Sequence, residues 1–567
     1  MNMDHYSQQI AVSMGNEPAD LVLKHARYLN VFTGEFLQGD IAISQGRIAG
    51  IGTYQGRQEV DLSGKTVVPG FLDGHIHLES TTVTPAVFAR EALTHGTTCV
   101  VTDPHEITNV CGTDGVDFML ESTADLPLDV FFMMPSCVPS CPFDESGAVI
   151  DSETTARYLQ HPRILGLAEM MNAPGVIYRD PETIAKTYST LEAGKIIDGH
   201  APGLSGNSLQ AYVGAGIYSD HECTTVKEAV EKLRAGQWIM IREGTASKNL
   251  RALLPLCKEP YATRCMFCTD DRHIDDMMDS GYIDYILREA IAAGTDEATA
   301  YSMASFHTAS YFGLTGHGAI APGYLADLVI LDDPHTVAIH SVYKSGILMT
   351  PDYLDQHCST PQTDSYRPLF DKVTGTVHLG ELTTADFALK RTPEKVIGLI
   401  PGQLITTDEG FASATDVSQD ILKMCVLERH KQTGHIGVCF LKGYGLKEGA
   451  IATSVAHDSH NIIVVGTNDD DILTAVQAID RCQGGMVVVN HGKVLATYEL
   501  PVAGLMSTEC AAIAKEKLHQ IHEAAYGLGV NLDIDPFMTL SFTSLPVIPT
   551  LKLTTLGVVD VDKFEII

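Results

Sequence analysis

The stretch Pro69-Gly70-Phe71-Leu72-Asp73-Gly74-His75-Ile76-His77-Leu78-Glu79-Ser80 decides how this chain is read. It follows the β-branched run Thr66-Val67-Val68, so the pattern is a strand running out into a loop. Side chains alternate faces along a strand, which turns His75 and His77 one way and Ile76 the other. Two imidazoles roughly 7 Å apart along such a strand can converge on one divalent ion. His-x-His alone also arises as ordinary loop hydrogen bonding. Its weight here comes from the order of metal-ligating residue types further along the chain.

Strand-like runs recur at Val67–Phe71, Thr98–Thr102, Val130–Met134, Ile164–Ala168, Lys195–Asp198, Gly216–Ser219, Trp238–Ile241 and Cys265–Cys268. Helical stretches lie between or after them, at Pro85–Thr94, Pro181–Ala193, Val226–Ala235 and Ile283–Ala293. Eight strands with intervening helices in about 250 residues is the pattern of a (β/α)8 TIM-like barrel, whose catalytic groups sit at the C-terminal ends of the strands. Those ends carry His75 and His77, then Asp103, His105 and Glu106, then Glu169, His200, His221, and finally Asp270 and Asp271.

The set His75, His77, Glu169, His200, His221 and Asp270 offers four imidazoles and two carboxylates. That is enough for two divalent ions bridged by one carboxylate and one water or hydroxide, a nucleophile at neutral pH. With no thiolate among the donors, a borderline-to-hard cation is expected. Cys265-Met266-Phe267-Cys268 is not a zinc knuckle, because strand positions 265 and 268 face opposite sides. By the same alternation, Asp270 and Asp271 are expected to face opposite sides of the eighth strand, with only one of them near the metal.

Working outward, residues 1–19 read as an N-terminal extension and residues 69–317 as the metal-dependent barrel. Short strands in 20–68 and again in 318–375 suggest a small composite β-sandwich assembled from both sides of that insert. Residues 376–567 read as a separate α/β domain, with apolar runs at Ile462–Val465 and Met486–Val489 and helix candidates at Asp471–Asp480 and Cys510–Glu523. The fold class is therefore α/β. In the last domain, His457-Asp458-Ser459-His460 reads equally well as a loop covering the barrel mouth or as a plain turn.

A chain of 567 residues is too long for one compact core. Its hydrophobic content of 45% and charged content of 19% are those of an ordinary globular protein. The net charge of −33 leaves no basic surface for nucleic acid or an anionic membrane, and suits a small neutral or cationic ligand. No secretory signal is visible at the N-terminus, and no run approaches the ~18 apolar residues of a membrane span. Thirteen scattered cysteines fit a reducing compartment, so the expected location is the cytoplasm.

The chain resembles the amidohydrolase superfamily and, within it, the bacterial adenine deaminases. The superfamily marks are Pro69–His77 and the return segment Pro322-Gly323-Tyr324-Leu325-Ala326-Asp327-Leu328-Val329. More specific are Thr102-Asp103-Pro104-His105-Glu106-Ile107, Gly166–Met171, Asp198-Gly199-His200-Ala201-Pro202-Gly203, Met240-Ile241-Arg242-Glu243-Gly244 and Cys268-Thr269-Asp270-Asp271-Arg272. In the last domain, Ser454–Asn461 and Pro501–Ser507 match as well. The resemblance implies hydrolytic deamination of adenine with two divalent ions, manganese first and iron(II) second. Glu169 takes the bridging place that a carboxylated lysine holds in many amidohydrolases. The catalytic centre implied is Asp270, Glu169 and His221, with Asp270 moving the proton. Glu79, His105, Glu106, Arg242 and Asp271 are candidates for orienting the purine. The expected partner is the small-molecule substrate, and the expected assembly a homodimer. The alternatives are an amidohydrolase acting on another purine or cyclic amide, and a non-catalytic assembly protein, which would be expected to have lost ligands.

Overall fold

The computed structural model describes residues 3–361 and 363–567. After a first helix, Met3–Ser13, strands from two distant parts of the chain build one sheet. Its order is Ile347–Leu348, Ala338–Lys344, Leu328–Asp333, Thr66–Pro69, Ala19–Asn30, Glu35–Ser44 and Arg47–Gly52, with Gly56–Asp61 also paired to Ala19–Asn30. A bridge from Arg47 to Leu325 brings the two sides together around a buried cluster that includes Leu23, Ile41, Val67, Leu328 and Ile330.

The run Val67–Phe71 does not act as one strand. It divides at Gly70, so that Thr66–Pro69 joins this sheet and Phe71–Ile76 opens the barrel. A Cβ at Gly70 would lie 2.3 Å from the Thr98 hydroxyl, so only glycine lets the chain pass this close to its neighbour.

The barrel strands are β1 (Phe71–Ile76), β2 (Thr97–Thr102), β3 (Asp129–Met134), β4 (Ile164–Met170), β5 (Ile196–Gly199), β6 (Ser219–Asp220), β7 (Trp238–Arg242) and β8 (Cys265–Cys268). β1 to β5 form one parallel sheet and β6 to β8 another. Two parallel bridges, Ile197–Ile217 and Ile76–Asp270, close the seams between them. At the second seam the Asp270 N–H donates to His75 O (2.9 Å) and the His77 N–H to Asp270 O (3.1 Å). The backbone of the candidate ligands therefore makes the closure that aims their side chains.

Alternation along the strands separates two apolar layers. Leu72, Cys99, Val101, Met133, Met240, Met266 and Cys268 fill the barrel interior, floored by Phe312 and Leu314. Val100, Phe132, Ile241, Cys265 and Phe267 face the surrounding helices. Cys265 and Cys268 thus lie on opposite sides of β8 and share no ion. The helices stand at Pro85–Thr94, Pro181–Glu192, Val226–Ala235 and Ile283–Ala292. Their ends follow local chemistry: Pro85 and Pro181 occupy first turns, Thr225 caps Val226–Ala235, and Gly236 at φ +104° ends it.

The last domain carries an eight-stranded sheet, from Thr406–Ala412 through Glu394–Leu399, Ile436–Lys442, Leu422–Leu427, Ile462–Gly466, Ala450–Thr453 and Gly485–Asn490 to Lys493–Glu499. One face (Cys425, Leu427, Val464, Val487, Val489) packs on helix Asp469–Cys482. The other (Met424, Val426, Val465, Val488) belongs to a buried cluster that continues into the barrel's outer layer. Each such side chain contributes on the order of 1.5–3 kcal/mol over its exposed state, so the two units are held together by a shared apolar core. Among the described residues no helix is long and apolar enough to cross a membrane.

Candidate metal centre

Glu169, at the end of β4, is the hub. One carboxylate oxygen lies 2.6 Å from His200 Nδ1 and 3.1 Å from His221 Nε2; the other lies 3.4 Å from His77 Nε2 and 3.9 Å from His75 Nε2. Asp270 Oδ1 is 3.2 Å from His77 Nε2 and 3.6 Å from His75 Nε2. Two ligand atoms each about 2.1 Å from one cation stand roughly 3–3.5 Å apart, and three of these six separations fall in that range. The structure brings all six side chains named from the sequence into one cluster at the barrel mouth.

The donors fit a cation in their hydrogen bonding too. His75 Nε2 is buried and has no hydrogen-bond partner, a cost of about 1–3 kcal/mol that coordination removes. His77 Nδ1 lies 2.9 Å from Asp103 O, so Nδ1–H donates there and Nε2 is left bare toward the centre. Burial alone would raise Glu169, but His200 and His221 hold it well below the usual carboxylate range. Burial would likewise raise Asp270, and the Arg242 guanidinium holds it well below. Both carboxylates are ionised and suited to a cation.

A narrow cavity lies over these side chains. Its floor is the six-donor cluster, and its far wall comes from the last domain through Leu404, His457, Asp458, Phe542, Leu545 and Ile548. The loop His457–His460, open between two readings in the sequence, therefore covers the barrel mouth.

Family comparisons agree with both halves of this arrangement. The amidohydrolase family matches residues 66–354, and the adenine deaminase C-terminal domain matches residues 403–565. The chain is 45% identical to adenine deaminase 2 of Carboxydothermus hydrogenoformans, covering 98% of each chain. It is 45% identical to an adenine deaminase of Desulfatibacillum aliphaticivorans, covering 99% of each. It is 46% identical to one from Dehalococcoides mccartyi, over 99% of this chain and 98% of that one. The chain belongs to the adenine deaminase family.

Within this family member the other sequence candidates fall into distinct places. Arg242 is committed to protein partners: Nη1 and Nη2 donate to the two oxygens of Glu222 (2.5 and 3.0 Å), and Nη1 also donates to Asp270. Asp271 accepts from the Ser80 hydroxyl (2.6 Å), and burial together with Asp270 raises its pKa. His105 Nδ1 stands 2.9 Å from Asp103 and 3.4 Å from Glu169. Glu106 pairs with His457 Nδ1 (2.7 Å) and with His460 Nε2. Glu79 accepts from the Ile107 N–H (3.1 Å) and lines a small adjoining cavity, apart from the six-donor cluster.

Asp270 and Asp271 do not face opposite sides as expected: β8 ends at Cys268, Asp270 takes a left-handed conformation (φ +62°), and both side chains line the cavity, Asp270 against His75 and His77 and Asp271 against Ser80. Gly244 lets this turn pack: a Cβ there would meet Asp271 O at 2.5 Å and Thr269 O at 2.7 Å.

Two contributors escaped the sequence reading. Glu222 stands 3.5 Å from His221 Nε2 and 3.6 Å from His200 Nδ1. Strand alternation would have turned it away from His221, but β6 stops at Asp220 and both residues lie in the loop after it. Asp73 is fully buried and accepts from the His75 N–H (3.1 Å), the Thr269 hydroxyl (2.5 Å) and the Tyr282 hydroxyl (2.5 Å), tying the first strand to the last. Its place inside the Leu-Asp-Gly-His motif was the available signal.

Proposed function

We infer that this protein hydrolyses adenine to hypoxanthine and ammonia. The observation that carries this is a complete six-donor cluster in a chain alike, over nearly its whole length, to proteins named adenine deaminase. When bound, two divalent cations held by His75, His77, Glu169, His200, His221 and Asp270 lower the pKa of water and so supply a nucleophile at neutral pH. The all-nitrogen and oxygen donor set favours manganese, with iron(II) as the alternative.

The chain's own residues bind, orient and move the proton. Glu169 presents one oxygen to each side of the cluster, which suits it to the bridging place. Asp270, kept ionised and oriented by Arg242, accepts a proton at its carboxylate and returns it to the purine ring or the departing amine. Glu222 holds the other side of the Arg242 fork, so Asp270 cannot swing out of the cavity. The far wall from the last domain limits water around the reacting carbon.

The test is ammonia release from a purine panel by protein purified from manganese-supplemented culture, with metal content measured. Adenine should be the best substrate. Chelation should abolish turnover, and manganese should restore it at about two equivalents. Full activity in demetallated protein, or preference for another ring, defeats the reading.

A further inference from the structure

The proposed chemistry uses the wall from the last domain only to limit water. Most of that wall is apolar, through Leu404, Phe542, Leu545 and Ile548. Asp458 is the exception. It is 3% exposed, and its Oδ2 has no hydrogen-bond partner. Its Oδ1 lies 3.8 Å from His105 Nε2, beyond hydrogen-bond reach.

Each of the other carboxylates lining the cavity has an oxygen within 2.7 Å of a partner, although Glu106 Oε1 shares with Asp458 Oδ2 the lack of a well-aligned hydrogen bond. Glu169 meets His200 at 2.6 Å, Glu106 meets His457 at 2.7 Å, Asp271 meets Ser80 at 2.6 Å, and Arg242 holds Glu222 and Asp270. Asp458 is also held in place: the ring of neighbouring His457 stacks on Phe542 with centroids 4.4 Å apart and planes 13° apart. A buried carboxylate whose Oδ2 lacks a hydrogen-bond partner, beside the flat ring of Phe542 and three aliphatic side chains, is the complement of a planar heteroaromatic ring that brings an N–H. A free purine base carries one such N–H on its five-membered ring, and a 9-substituted purine carries none.

We propose that Asp458 is a substrate-binding residue that accepts the five-membered-ring N–H of a free purine, so that the last domain restricts the site to free bases. The proposal rests on the deaminase reading for the identity of the ligand, but binding tests it separately from turnover. The uncharged product, hypoxanthine, and its analogue 9-methylhypoxanthine differ in that N–H and one methyl group.

The experiment is calorimetric titration of both compounds into manganese-loaded full-length protein, wild type, Asp458→Asn and Asp458→Ala, with adenine kinetics alongside. Sites built around a substrate N–H reject analogues lacking it by up to ~10⁴-fold. Wild type should therefore prefer hypoxanthine by ~10²-fold or more, and Asp458→Ala should shrink that ratio below about tenfold, with Asp458→Asn between. The rise in KM for adenine should exceed any fall in kcat, at unchanged metal content. A merely structural role would weaken both compounds alike and leave the ratio unchanged, which overturns the proposal. So does a wild-type ratio near one. Should the Ala variant fail to fold, the near-isosteric Asn variant still decides. Preserved discrimination in wild type without adenine turnover would instead sink the deaminase reading.

Discussion

Glu169 and Glu106 are two buried glutamates, both set among imidazoles, and the difference between them lies in protons. Around Glu169, His77 gives its Nδ1–H to a backbone carbonyl and turns a bare Nε2 inward. Beside Glu106, His460 Nδ1 accepts the Ala456 N–H (3.2 Å), so the ring proton must sit on Nε2, pointing at the carboxylate. Arg429 donates to the His460 carbonyl and fixes the same loop. His77 offers a lone pair to a cation; His460 offers a hydrogen to an anion. Residue types alone mark both as metal sites, and the backbone partner of the far nitrogen separates them. Glu106, His457 and His460 therefore form a charged clasp between the barrel and the last domain.

The largest expected effect is on the Glu169 side, at Asp270. Asp270→Asn should keep the fold and lose roughly three or more decades of turnover, because proton transfer and positioning go together. Asp271→Asn should cost far less, since its carboxylate is spent on Ser80. Steady-state kinetics with metal content checked decides between them; a harmless Asp270→Asn beside a dead Asp271→Asn reverses the assignment.

Next in size is the exchange of the two glutamates. Glu169→Gln should lose at least one metal equivalent and fall on the order of 10² or more in turnover. Glu106→Gln should keep both metal equivalents. Metal analysis of the two purified variants is sufficient, and loss of metal from Glu106→Gln would make the clasp a metal centre after all.

Most of the Glu169 cluster was legible in the sequence for a physical reason. A parallel barrel gathers strand ends at one mouth, so the order of His and carboxylate residues after apolar runs maps directly onto space. Helices with clear caps, such as Pro85–Thr94 and Val226–Ala235, were legible to the residue. What failed was alternation past the end of a strand. Glu222 and the Asp270–Asp271 pair lie in loops, where left-handed backbone and side-chain pairing set direction. Gly70 looked like the middle of a strand because the two strands it joins are both β-branched or aromatic. Apart from the His457–His460 loop, one of whose two readings was a cover for the barrel mouth, the cavity's far wall was beyond reach for another reason: Leu404 and Phe542 meet the barrel only through tertiary packing, which has no local period to read.

The smallest expected effect concerns the clasp itself and its dependence on pH. Burial would lower His457, but Glu106, with Asp271 and Asp458 also facing it, raises its pKa from 6.5 to about 9. His460, whose ring lies 5.5 Å away, is pushed by burial down to about 4 and stays neutral across this range. A group raised on folding stabilises fully below its unfolded pKa, and that contribution is lost as pH rises through the folded value. The clasp is thus strongest below about pH 6.5 and fades toward pH 9, by at most on the order of a few kcal/mol. His457→Gln cannot take up the proton. The melting temperature of wild type minus that of His457→Gln should accordingly be larger at pH 6.5 than at pH 9, by roughly 2–4 °C. Other titrating groups are common to both proteins and drop out of the difference. Parallel melting curves for the two proteins across this range would mean that His457 is held neutral, and that Glu106 is satisfied through His460 alone.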